Sequence, residues 1–102
     1  MKIPIRIPKS FDLYAQTINI TWHDDLILRS DARGEAHQRY NQIKMDTMIG
    51  RPESIKEQTF YHEKVHLILH QMGEEELANN EKFVDTFASL LHQADASAEY
   101  DD

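Results

Sequence analysis

The chain has 102 residues, 40% of them hydrophobic and 9% aromatic, and carries a formal charge of −7. That composition suits one small folded domain over residues 1–102 and excludes a disordered polymer. With no cysteine, disulfide frameworks and thiolate zinc fingers are excluded, so a metal would have to be held by histidine and carboxylate. The negative charge argues against nucleic acid as a partner, because phosphate binding rests on lysine and arginine.

Residues 2–9 alternate Ile3, Ile5 and Ile7 with prolines and basic residues. Pro4 and Pro8 restrict the stretch to an edge strand or an extended arm. With Arg6 they also interrupt the continuous apolar run of a secretory leader. No segment is long and apolar enough to span a bilayer, so the expectation is a cytoplasmic protein with no membrane partner. From Gln16 to Trp22 the alternation is that of a strand, with Ile18, Ile20 and Trp22 on one face and Thr17, Asn19 and Thr21 on the other. Asp24 and Asp25 end it. Leu26, Ile27 and Leu28 form a short apolar run before a polar loop around residues 30–34, and a second strand is expected from about His37 to Met45.

From Pro52 to Met72 the period becomes helical. Pro52 suits a first turn, Glu53 and Glu57 suit its positive end, and Gly73 is a natural stop. Glu74, Glu75 and Glu76 read as a solvated connector. Asn79 or Asn80 can cap a second helix running to about Ala94. On it Phe83, Phe87, Leu90 and Ala94 make an apolar stripe, widened by Val84, Ala88 and Leu91. The small, acidic end, residues 96–102, is expected to fray. Strands followed by two helices give an α+β domain, with a small antiparallel or mixed sheet of about three strands packed on both helices.

The chemistry concentrates on the first helix. His62 and His66 stand four apart, so both rings leave one face at adjacent turns, a spacing that lets two imidazoles meet one zinc ion at about 2.0–2.1 Å. Glu63, beside the first histidine, is placed to reach a water rather than the metal. Two imidazoles need a third ligand. Glu81 is the best candidate, because the chain can turn at Gly73 and return it on an antiparallel helix. Asp85, four residues on, can accept the outer N–H of a ligand histidine. The competing reading is a structural histidine pair without metal. Val65, Leu67, Ile68 and Leu69 favour the metal, since histidines buried among apolar residues need a partner.

His62-Glu63-Lys64-Val65-His66, followed by Asn80-Glu81-Lys82-Phe83-Val84-Asp85, resembles the gluzincin type of zinc metallopeptidase, whose thermolysin-like group carries Asn-Glu-x-x-x-Asp after H-E-x-x-H. The short length and the frame from Glu81 to Leu91 are similar to the minimal zincins of phages and prophages. The stretch from His66 to His70 also resembles the ImmA/IrrE peptidase family. The likeness covers about residues 54–93. It implies a zincin-like fold, one zinc ion held by His62, His66 and Glu81, and Asp85 as the partner of a ligand. It also implies a protein or peptide substrate, hydrolysed with Glu63 taking a proton from the attacking water. The strand containing Gln42, Ile43 and Lys44 would then be the edge along which the substrate lies. Two departures stand out. Val65 occupies a position commonly small, and Leu91-His92-Gln93 replaces the Leu-Met-Pro ending of the ImmA/IrrE proteins. No residue is evident as the donor to a developing oxyanion.

The alternative function is a non-catalytic zinc-binding module that holds a protein through its edge strand. Of the other histidines, His70 reads as a helix-end residue near the negative dipole, one turn too far for the same ion. His92 lies about 16 Å along the Glu81 helix, and His23 and His37 read as surface residues. Phe60, Tyr61 and Trp22 are assigned to the core.

Overall fold

The computed structural model describes residues 1–101. It is an α+β domain with a four-stranded mixed sheet and four helices. Strands β1 (Ser10–Leu13) and β2 (Gln16–His23) form a hairpin, with Tyr14 at the turn in a left-handed conformation (φ 53°). A single-turn helix α1 (Leu26–Ser30) follows. Next come β3 (Gly34–His37), a 3₁₀ turn over Gln38–Tyr40, and β4 (Gln42–Asp46). The long helix α2 (Glu53–Gln71), the one-turn helix α3 (Glu75–Ala78) and α4 (Glu81–Ser97) complete the chain.

The sheet order is β1-β2-β4-β3. β4 pairs in parallel with β2, and β3 is the antiparallel edge on its other side. The strand expected over residues 37–45 is therefore two strands, separated where Asn41 turns left-handed (φ 51°). This overturns the placement of Gln42, Ile43 and Lys44 on a substrate edge. β4 has a partner on both sides, so its main-chain groups are committed to the ladder. The free edge next to α2 belongs to β3.

Apolar alternation decides which side of the sheet is covered. Ile18 and Ile20 of β2 and Ile43 and Met45 of β4 point to one face and are buried against α2 through Phe60, Val65, Leu67 and Leu69. Trp22 continues the alternation by position but is 43% exposed. α2 buries Tyr61, Glu63, Val65, Leu67 and Leu69 in turn, positions that go all round a helix. Such burial is expected of a helix covered on two sides, here by the sheet and by α4.

Local signals set the helix ends. Pro52 precedes α2 with extended backbone. Gly73 (φ 77°) closes α2, donating to the His70 carbonyl while Glu74 donates to Leu69, the paired bonds of a Schellman stop. The acidic connector folds into α3 and buries Ala78 completely. Asn80 caps α4 by accepting from the Phe83 N–H. Towards its other end α4 outruns the expected Ala94, and Tyr100 and Met1 exchange main-chain hydrogen bonds. α4 buries Val84, Ala88 and His92. The stripe of Phe83, Phe87, Leu90 and Ala94 lies on its outer flank, with Leu90 62% exposed. Small residues win the inner face because α4 approaches α2 closely, and His92 pairs there with Glu57 at 2.9 Å.

Candidate metal centre

Donor atoms of three residues on two helices converge. Nε2 of His62 and Nε2 of His66 are 3.2 Å apart. The Glu81 carboxylate reaches both, one oxygen 3.2 Å from His62 and the other 3.2 Å from His66. Tetrahedral bonds of about 2.0–2.1 Å place neighbouring donor atoms about 3.3 Å apart. Each contact thus has about the length of an edge of a zinc coordination tetrahedron, through two different oxygens of Glu81, and this triangle of residues could hold a metal ion.

The outward nitrogens reinforce the arrangement. His66 Nδ1 lies 2.8 Å from the Ala78 carbonyl, which can only accept, so Nδ1 carries the proton and Nε2 turns its lone pair inward. On the other side of His62, Nδ1 lies 3.5 Å from Asp85 Oδ1. The two Nε2 atoms and the Glu81 carboxylate face one another, an arrangement that a shared proton or a cation at their centre relieves. Burial holds the His66 pKa below that of a free imidazole, a shift that keeps the ring neutral and fit to ligate.

Glu63, next in the chain to His62, stands outside the donor group but lines the cleft beside it. It is 8% exposed, and burial pushes its pKa up to about 7, with the charges of Glu81 and Glu35 adding to the rise. The charge of His62 and the main-chain N–H of Ala36 oppose the shift. A carboxylate near neutrality is matched to taking and giving a proton. With His62 and Asp85 it lines a cleft of about 340 Å³, whose other wall is residues 31–34.

Gly34 brings that wall close. A Cβ there would come 2.8 Å from Thr59 Cγ2 and 3.1 Å from Glu63 Cγ, so only glycine lets β3 lie this near α2. The Asp46 N–H donates to the Arg33 carbonyl, which directs the main-chain groups of Arg33, Glu35 and His37 towards β4. Those of Gly34 and Ala36 then face the free edge.

All five residues expected to do chemistry thus lie in one region, while Gln42 to Lys44 do not. Ile43 is fully buried, and the Gln42 amide donates to Thr21. His70 lies 3.1 Å from Glu75 and outside the triangle. Sequence reasoning missed Gly34, Ala36, Arg33 and the Ala78 carbonyl. Only Gly34 carried a signal, as a glycine at a strand start. The comparisons with known proteins add nothing to this geometry: no family model, curated protein or solved structure matches the chain.

Proposed function

We propose that the protein is a small zinc-dependent peptidase of the gluzincin type. The observation that carries this reading is the convergence of His62, His66 and Glu81 to mutual distances of 3.2 Å, with Glu63 beside them and poised near neutrality. His62, His66 and Glu81 would hold the ion, whose chemistry when bound is to acidify water and polarise a carbonyl. Glu63 takes the proton from the attacking water and passes it to the leaving amine. The β3 edge aligns an extended peptide through the main-chain groups of Gly34 and the carbonyl of Ala36, the Ala36 N–H being taken by Glu63, and Asp85 and the Ala78 carbonyl hold the two rings in register. The resemblance of Asn80-Glu81-Lys82-Phe83-Val84-Asp85 to the second gluzincin motif supports the same assignment.

Metal analysis of purified protein combined with a diverse peptide library tests it. The wild type retains about one zinc per chain and cleaves. Glu63→Gln retains the zinc and loses about 10²–10⁴-fold in rate, and His66→Ala loses the zinc. Cleavage by Glu63→Gln at the wild-type rate sinks the mechanism. The second reading, a zinc-holding interaction module, is favoured by the modest size of the cleft, about 340 Å³. Zinc retention with peptide binding but no cleavage would select it.

A further inference from the structure

α4 presents apolar side chains on two flanks, and the fold covers only one of them fully, with Phe83 alone on the second flank half-buried against the core. Val84 and Ala88 pack on α2, while Phe87, Leu90 and Leu91 remain 45%, 62% and 37% exposed. The rings of Phe83 and Phe87 meet on the outer flank, tilted at 59° with centroids 5.7 Å apart, beside an apolar hollow of about 590 Å³. Phe83, Phe87, Leu90 and Ala94 follow one another at spacings of four, three and four, the interval of a coiled-coil seam. The positions flanking that seam, Thr86, Leu91 and Gln93, carry no charge. Asp85 is the only Asp, Glu, Lys or Arg between Phe83 and Ala94, and it is turned to His62. In a chain of net charge −7, an uncharged face of this kind offers a second negative chain little repulsion.

We infer that this face joins two copies of the chain, with their α4 helices antiparallel across a two-fold axis between Ala88 and Ser89. The size pattern selects that orientation. Antiparallel pairing sets Phe83 against Ala94 and Phe87 against Leu90, so each layer combines a larger with a smaller side chain. Parallel pairing would stack phenylalanine on phenylalanine at one end and leave alanine facing alanine at the other. The antiparallel form also brings Lys82 to the last turn of the opposing α4, which has no basic residue of its own and whose negative dipole end favours a cation. At about 100° per residue, the seam lies away from Asp85 and Ser89, which line the cleft. Both clefts stay open in the pair.

The test is sedimentation of the full chain from about 1 to about 200 µM, a range suited to a short seam. The expected result is a mass rising from 12.0 kDa towards twice that value. Phe87→Glu with Leu90→Glu should stay monomeric across the range, with unchanged circular dichroism, because both side chains are exposed. Orientation is read by disulfide formation, which the absence of native cysteine makes clean. A mixture of Phe83→Cys and Ala94→Cys chains should cross-link to each other. A wild type that is monomeric throughout, or an Ala94→Cys chain that cross-links to itself, overturns the inference.

Discussion

Nε2 of His62 stands 3.2 Å from Nε2 of His66, yet the two rings are anchored from behind in different ways. His66 gives its outer proton to the main-chain carbonyl of Ala78, and His62 looks to the carboxylate of Asp85. A main-chain anchor is beyond the reach of substitution; a side-chain anchor is not.

Asp85→Ala should therefore lower zinc affinity by about 10–100-fold without disturbing the fold. Competition against a chromogenic chelator measures the affinity. An unchanged value would show that Asp85 does not support His62.

Gly34→Ala should destabilise the protein by about 1–3 kcal/mol, because the added methyl meets Thr59 Cγ2 at 2.8 Å and Met45 Sδ at 3.3 Å in a packed interface. Thr59→Ser removes that methyl and keeps the hydroxyl that donates to the Ile55 carbonyl. The double substitution should recover most of the loss in urea unfolding, a non-additivity expected of touching residues. Additive effects would mean that the clash lies elsewhere.

Asp46 is buried at the end of β4 and accepts from the N–H groups of Ile27 and Met48 at 2.9 and 2.8 Å. Those bonds hold its pKa below the ordinary 3.8. Stabilisation from a lowered carboxylate is present above the unfolded pKa and is lost as pH falls through the folded one. Asp46→Asn should thus cost about 1–3 kcal/mol at neutral pH, and its deficit should shrink as the wild type is acidified below 3.8. A deficit that stays constant with pH would rule out the carboxylate charge as the cause.

The helices and the cluster on them could be read from the sequence because their signals are local: a four-residue histidine spacing, Gly73 as a stop, Asn80 as a cap. The sheet could not be read so fully. Alternation shows which residues share a face but not which strand lies beside which, so the central position of β4 and the edge position of β3 emerge only in three dimensions. The break at Asn41 was hidden because neither a proline nor a glycine marks it. On α4 the most apolar stripe is not the buried one. Hydrophobicity alone would bury Phe87 and Leu90, but packing against α2 rewards the small Val84 and Ala88 and the hydrogen-bonded pair of His92 with Glu57.

The Ala78 carbonyl that anchors His66 belongs to α3, the single turn between the two helices that carry the His62, His66 and Glu81 cluster. An ion bound at His62, His66 and Glu81 would tie both ends of that connector as well as its middle. Metal occupancy would then set how often residues 72–80 open locally. Backbone amides there should exchange with solvent more slowly when zinc is present, while those of the β1–β2 hairpin, remote in sequence from the three ligands, gain only what the whole domain gains.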